Sequence, residues 1–468
     1  MKLQIEEITD EIGRFNSELE DHFSNVLRYQ PELTRKIVSF QDNKNLSFYR
    51  WYKYKEAFSA SLVDYFLKKY DVSQGVIFDP FAGIGTTLFA SALMGYDSEG
   101  IELLPIGQEI ISNRAYAQFE ISHKEIRILE TWISHCPWET NREPVPLNCL
   151  RITKGAYPPE TEQRIGQYLS ELKTIQNKKV SRLLFFALLC ILESVSYTRK
   201  DGQYLRWDYR SGRGNGSNSF DKGRIEGFDQ AICNKLKQIL QDIKNPANQS
   251  LFYEKQSRYG KIKLHAGSCL DILPVLKEKH YQAIITSPPY CNRYDYTRTY
   301  ALEHAMLGIG EKELIDLRQA MLCCTVENKT KEISGICDAY KKTEAIFQEQ
   351  RLIHAILFYL EDQKSRKNLN NNGIPRMVRG YFSEMTAVLS ECYRILDNHG
   401  YLFMVNDNVR YAGVCIPVDL ILSKIAESIG FEVENILILP QAKGNSSQQM
   451  GGFGRQSLRK CVYVWRKA

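Results

Sequence analysis

A strand that stops on two prolines constrains this chain more than any other stretch. Residues 281 to 286 read as an apolar, buried strand, followed at once by Ser287-Pro288-Pro289-Tyr290. Neither proline can donate to a sheet ladder, and both hold the backbone extended. The carbonyls of Ser287 and Pro288 therefore point past the strand end, beside an aromatic ring. Rigid acceptors against an aromatic face suit a planar amino group. Taken alone, the same residues also fit a Pro-terminated strand with a core tyrosine.

A second segment decides between these readings. Val76-Ile77-Phe78-Asp79 is an apolar strand, Pro80 to Gly85 is a turn with glycines at 83 and 85, and Leu88 to Leu93 can form a helix. Such glycines let the backbone approach a ligand and expose N–H groups at a helix start. The third glycine of a dinucleotide fingerprint is absent, since Leu88 stands there. Asp79 would repel a pyrophosphate and attract an ammonium. The next short strand, Ser98-Glu99-Gly100-Ile101-Glu102, ends in an acid where doubly wound sheets bind a ribose diol. An acid for an ammonium, glycines for close approach and an acid for a ribose together describe S-adenosylmethionine.

These segments resemble the S-adenosylmethionine-dependent DNA amino-methyltransferases, which methylate the exocyclic nitrogen of cytosine or adenine. Asp79-Pro80-Phe81-Ala82-Gly83-Ile84-Gly85-Thr86-Thr87 is similar to that family's motif I, Glu102 to its motif II acid, and Ser287-Pro288-Pro289-Tyr290 to its motif IV. Trp51 to Val63 resembles motif X. The resemblance implies that Asp79, Phe81, Ala82, Gly83, Gly85, Thr86, Thr87 and Glu102 bind the cofactor and that Ser287, Pro288, Pro289 and Tyr290 engage the target base. The serine form of motif IV is typical of cytosine-N4 enzymes, so a cytosine-N4 DNA methyltransferase of the restriction-modification type is expected, with adenine-N6 as the alternative. An RNA or protein-amide methyltransferase, and a silent nucleic-acid-binding module on the same fold, are the further alternatives. Double-stranded DNA is the expected partner, with a cognate restriction endonuclease in the same system. Where the family's third motif usually carries an acid for the cofactor's adenine, this chain has Ser268, with Asp271 a helical turn later. Either residue is a candidate for that contact.

Strand patterns begin near residues 76, 98, 262, 281, 400, 431 and 459, alternating with helical patterns at 52–69, 381–396 and 417–429. This predicts an α/β fold: a seven-stranded, Rossmann-like class I methyltransferase sheet whose last two strands form a reversed hairpin. The pattern is interrupted twice, which gives six segments. They are an N-terminal helical arm over 1–45, a cofactor-binding core over 46–120, an insertion over 121–260, the motif IV core over 261–290, a second insertion over 291–379 and a C-terminal core over 380–468. In the arm, apolar residues from Ile5 to Leu19 at helical spacing suit packing on the chain's own core, or a coiled-coil contact.

Both mainly helical insertions are candidates for DNA recognition. The first holds Tyr197 to Arg213, where Arg199, Lys200, Arg206, Arg210 and Arg213 interleave with Tyr197, Tyr204, Trp207 and Tyr209. Such a stretch can hold phosphates and stack bases. The second ends in a run from Lys364 to Arg379 with five cations and no acid. Arg293, just past motif IV, either clamps the flipped nucleotide or pairs with Asp295. The glycine-rich stretch from Gln441 to Arg455 reads as a loop.

Composition agrees with an intracellular enzyme. Of 468 residues, 43% are hydrophobic and 25% charged, enough for more than one core. Twelve cysteines without C-x-x-C pairs or zinc spacing suit reduced thiols in a cytosol, with no metal site expected. The longest apolar run, Leu183 to Leu192, is too short for a bilayer, and the charged N-terminus does not read as a signal peptide. Net charge is only +6, so DNA binding must rest on local patches. No Pro-Cys dipeptide is present, so ring-carbon methylation through a covalent cysteine lacks its usual nucleophile.

Overall fold

A computed structural model describes residues 2–72, 74–140, 142–201, 205–213, 219–245, 258–440 and 457–468. Tyr204 and the 441–455 loop expected above lie outside the described residues. Strands, numbered in chain order, are β1 (Leu27–Tyr29), β2 (Val76–Asp79), β3 (Asp97–Glu102), β4 (Thr198–Lys200), β5 (Leu205–Trp207), β6 (Ile262–Ala266), β7 (Tyr281–Thr286), β8 (Leu396–Asp407), β9 (Val409–Tyr411), β10 (Val414–Ile416), β11 (Phe431–Ile438) and β12 (Lys460–Lys467).

Eight of them form one sheet in the order β1-β11-β12-β8-β7-β2-β3-β6. All seven expected strands are present. β12 runs antiparallel to both β8 and β11, which is the reversed hairpin, and the remaining neighbours are parallel. Chain order reverses between β2 and β7, since β2 has β3 on one side and β7 on the other. That crevice at the carboxyl ends of the strands is where open α/β sheets bind ligands.

The N-terminal segment differs from a simple arm. Helix Lys2–His22 packs Ile8, Ile12 and Phe15 into the chain's own core, and its last turn reaches Glu427 through a 2.8 Å contact from His22. β1 then adds an eighth strand, parallel to β11, with Leu27 opposite Ile436 and Tyr29 opposite Ile438. Because β1 ends at the same edge as β2, β3 and β7, residues 30–59 cross over the mouth of the crevice before helix Ala60–Lys69 begins. The helix expected over 52–69 is thus shortened. Its first eight residues are loop and short turn, because Tyr52, Tyr54 and Phe58 are buried individually against other elements rather than along one helical face.

Residues 121–260 contain helices His123–His135, Pro159–Leu172, Lys178–Ile191 and Phe228–Lys244, with the small β4–β5 hairpin between the last two. Helix His123–His135 starts on a capping box, in which Ser122 and Glu125 satisfy each other's backbone N–H groups. The apolar faces of these helices share one hydrophobic cluster with Trp51, Tyr52, Tyr300 and Leu302. Asp242 pins the crossing segment to this unit, accepting from Trp51 Nε1 at 2.8 Å and Arg50 Nε at 3.0 Å. The first helix of the C-terminal core, Ile374–Ile395, starts earlier than its expected position at 381 and absorbs the last six residues of the basic 364–379 run. No helix among the described residues is long and apolar enough to cross a membrane.

Candidate active site

β2 ends in Asp79, and the chain turns through Gly83 (φ +57°) and Gly85 (φ +75°) into helix Thr86–Leu93. Both glycines occupy the left-handed region, where a side chain is strained. At Gly85 an added Cβ would also lie 2.9 Å from Ile111 Cγ1. Asp79 is buried, and its Oδ1 accepts from the Phe81 N–H at 3.0 Å and the Thr286 hydroxyl at 2.6 Å. Glu102, at the end of β3, reaches back into the turn. Its Oε2 accepts from the Gly83 N–H at 2.7 Å and its Oε1 from the Leu104 N–H at 2.6 Å. Gly107 makes this possible, because a Cβ there would come within 2.6 Å of the Gly83 carbonyl and 2.7 Å of Glu102 Cγ.

Burial raises the Asp79 carboxyl to about 6 against three hydrogen bonds that lower it. It raises Glu102 to about 8, against backbone N–H donors. Neither acid has a cationic side chain within ion-pair distance among the described residues. Two desolvated, uncompensated carboxylates favour a cationic, polyhydroxylated ligand. The buried Thr86 hydroxyl at the same wall has no partner among the described residues. These features fit the amino-acid end and ribose of S-adenosylmethionine.

Asp79, Phe81, Ala82, Gly83, Thr86 and Glu102 line a cleft of about 770 Å³, a volume suited to a cofactor-sized ligand. Gly85 and Thr87 do not line it. Gly85 shapes the helix start, and the Thr87 hydroxyl donates to the Ile285 carbonyl at 3.0 Å, tying the helix to β7. Of the two candidates for the third motif, Ser268 lines the cleft while its hydroxyl donates to the Ala320 carbonyl at 3.0 Å. Asp271 is corrected: it projects into solvent from the short helix Cys269–Ile272, away from the cleft wall.

The far wall of the same cleft is Ser287, Pro288, Pro289 and Tyr290, delivered by β7. Ser287 Oγ lies 3.2 Å from the Val405 carbonyl and 3.1 Å from the Tyr290 hydroxyl. Donating its proton to Val405 leaves Oγ as an acceptor toward the cleft. Burial, with Asp407 nearby, holds the Tyr290 phenol well above its ordinary range. Asp407 ends β8 and also faces the cleft. Its carboxyl is raised by burial although Lys460 Nζ sits 2.6 Å away.

No family model matches this sequence. Type II methyltransferase M.AvaI of Nostoc sp. (strain PCC 7120) is 55% identical over 458 residues, covering 98% of this chain and 94% of that protein. The M.AvaI sequence of Anabaena variabilis gives the same values. Type II methyltransferase M.BsoBI of Geobacillus stearothermophilus is 39% identical over 482 residues, covering 96% of this chain and 91% of its own. The chain belongs to the type II methyltransferases. It is a DNA methyltransferase of the restriction-modification kind, and the cleft just described is the candidate active site of that enzyme.

A further wall of this methyltransferase's cleft comes from the segment that resembles motif X and from the residues just past motif IV. Tyr54 and Glu56, on the crossing segment, face Tyr294 and Tyr296 past motif IV. Glu56 accepts hydrogen bonds from the hydroxyls of Tyr294 and, at 2.6 Å, Tyr300, and Tyr54 stacks parallel on Tyr300 with centroids 5.1 Å apart. Asp407 escaped the sequence reading, although an acid closing a long apolar strand was a readable signal, since β2 and β3 of the same sheet also end in acids.

The predicted DNA contacts separate into two sets. Arg199 and Arg206 are exposed on the outer face of the β4–β5 hairpin. Lys200 is corrected, because its ammonium is buried, bonded to Glu303 at 2.5 Å and the Tyr52 hydroxyl at 2.8 Å, and it cannot reach a phosphate. Trp207 is corrected likewise: it packs inward, covered by the Arg213 guanidinium 4.0 Å from its ring, and offers no free face for a base. Arg210 is engaged by Asp208, with Nε to Oδ1 at 2.6 Å and Nη2 to Oδ2 at 2.9 Å. Arg293 does not pair with Asp295, which holds Arg298 and Arg318 instead. Its Nη1 donates to Asn370 at 3.0 Å, bringing the second insertion's basic run beside the cleft.

Proposed function

We propose that this enzyme transfers the methyl group of S-adenosylmethionine to the exocyclic N4 of a cytosine rotated out of duplex DNA. One observation carries the reading: Ser287-Pro288-Pro289-Tyr290 shares a single cleft with the two uncompensated carboxylates, Asp79 and Glu102. When bound there, the cofactor supplies an electrophilic methyl on a sulfonium sulfur. Asp79 and the turn around Gly83 hold its charged end, and Glu102 accepts from its ribose.

The cytosine amino lone pair is delocalised into the ring and attacks poorly. Ser287 Oγ and the Pro288 carbonyl accept its two hydrogens, favouring a pyramidal nitrogen whose lone pair faces the methyl. Tyr290 stacks on the base and offsets part of the few kcal/mol that unstacking costs. Holding nitrogen and methyl carbon at near-attack distance supplies much of the rate. On taking the methyl the amino nitrogen would become cationic and would then lose its proton to water, so Ser287 need not act as a general base. Nearby cations hold the duplex, Arg199 and Arg206 on the hairpin and Arg293 past motif IV. An endonuclease reading the same DNA sequence is the partner this setting implies.

Labelled cofactor, duplex DNA and the variants Ser287→Ala and Tyr290→Ala test this division of labour. Both variants should lose methyl transfer at least about a hundredfold, a general scale for removing one catalytic group, while binding S-adenosylmethionine as the parent does. Full turnover in both would refute the base-binding role of the prolyl motif.

A further inference from the structure

Building on the DNA-methylating reading above, we propose that Arg199 and Arg206 form a clamp that grips one shared backbone phosphate beside the methylation cleft. In the β4–β5 hairpin, side chains alternate strictly: Thr198, Lys200, Leu205 and Trp207 are buried, while Arg199 and Arg206 are exposed. The two arginines are direct cross-strand partners. Like charges placed directly opposite destabilise an antiparallel pair, so this arrangement needs a compensating anion. Among the described residues no carboxylate lies within ion-pair distance of either guanidinium. Their shared neighbour is instead the Phe220 ring, with its centroid 5.6 Å from Arg199 Cζ and 4.1 Å from Arg206 Cζ.

The other cations of the same stretch are each neutralised or occupied. Lys200 is paired with Glu303, and Arg210 with Asp208 and Asp221. Arg213 donates to the carbonyls of Arg151 and Lys154. Charge is therefore left free only at the opposed pair. The buried side of the hairpin is fixed by the Lys200–Glu303 pair, which makes the outer face a rigid platform. The platform also lies at the cleft: Asp201, the residue after β4, lines it, and Lys55 of the cleft wall donates to the Lys200 carbonyl at 3.0 Å. Two planar guanidinium groups carried by directly opposite residues on one exposed face suit the oxygens of a phosphodiester.

Each neutralised phosphate contributes about one unit to the dependence of log K on log salt. A shared phosphate therefore predicts that the double variant lowers the slope for duplex DNA by about one unit, whereas Arg199→Gln or Arg206→Gln alone leaves one cation on the phosphate and lowers the slope by clearly less than one unit. A drop of about two units in the double variant would mean independent phosphates, and no drop would mean no contact. Either result overturns the clamp. Arg199→Lys/Arg206→Lys keeps both charges and should keep the parent slope, and a lost slope there would also overturn it. Cofactor affinity should match the parent in every variant, and thermal stability should not fall, since the glutamine variants relieve the repulsion of the opposed charges. If the parent itself methylates no DNA, the proposed function fails. If the parent methylates and the double variant keeps its salt slope, the clamp alone fails.

Discussion

The Thr286 hydroxyl donates to Asp79 Oδ1 across 2.6 Å, joining the residue before Ser287 to the carboxylate at the end of β2. At the crevice, this side-chain hydrogen bond adds to the backbone pairing of the cofactor strand with the base-binding strand. It also lowers the Asp79 pKa against the effect of burial. Thr286→Val keeps the shape and deletes the donor, so cofactor affinity should fall by about 1–2 kcal/mol, the scale of one hydrogen bond to a charged group. Titration calorimetry with S-adenosylmethionine reads this directly, and unchanged affinity would remove Thr286 from the account.

Removing the carboxylates themselves should cost more. Asp79→Ala and Glu102→Ala are each expected to weaken S-adenosylmethionine binding by about 1–3 kcal/mol. Unchanged affinity in both, with the fold intact by circular dichroism, would show that the cofactor lies elsewhere.

The same two acids set a pH dependence of stability. Folding raises Asp79 to about 6 and Glu102 to about 8, both above their ordinary carboxyl values. A raised folded-state pKa means that the native state holds protons the unfolded chain has released, so the contribution is full at low pH and is lost as pH rises through the folded values. The unliganded protein should therefore lose stability from about pH 4, where the unfolded carboxyls ionise, to about pH 8, where Glu102 has ionised in the folded protein. Glu102→Gln should flatten that loss, measured as the difference between the two proteins' melting temperatures across the range. Equal slopes would contradict a desolvated Glu102.

Lys200 supplies a test of burial against surface roles. Lys200→Met leaves Glu303 buried without its partner and should destabilise the fold by about 3–5 kcal/mol, whereas Lys200→Met/Glu303→Leu should recover much of it. Chemical denaturation measures both. A stable single variant with a reduced DNA salt slope would instead restore Lys200 to the DNA-contacting set.

The catalytic constellation was legible because its chemistry is local in sequence. Asp79 through Thr87 and Ser287 through Tyr290 each combine strand end, turn and reactive groups within a few residues, and strands such as β2, β7 and β12 carry apolar runs long enough to read. β1 was not legible, since Leu27-Arg28-Tyr29 is too short for any period and gains its identity from pairing with β11. The same holds for residues 30–59, whose path across the cleft follows from where β1 ends. Lys200 looked like a phosphate ligand because Glu303 is 103 positions away in sequence. The alternation of the hairpin did carry the answer, since Lys200 and Trp207 share one face and Arg199 and Arg206 the other. Asp271 failed for a geometric reason: one turn beyond Ser268 its side chain points away from the cleft.

The identity of the methylated base tests the central claim most directly. Duplex DNA treated with the purified enzyme and a deuterium-labelled methyl donor should give, on digestion and mass spectrometry, labelled N4-methylcytosine that disappears with Ser287→Ala. Labelled N6-methyladenine in its place would contradict the cytosine assignment.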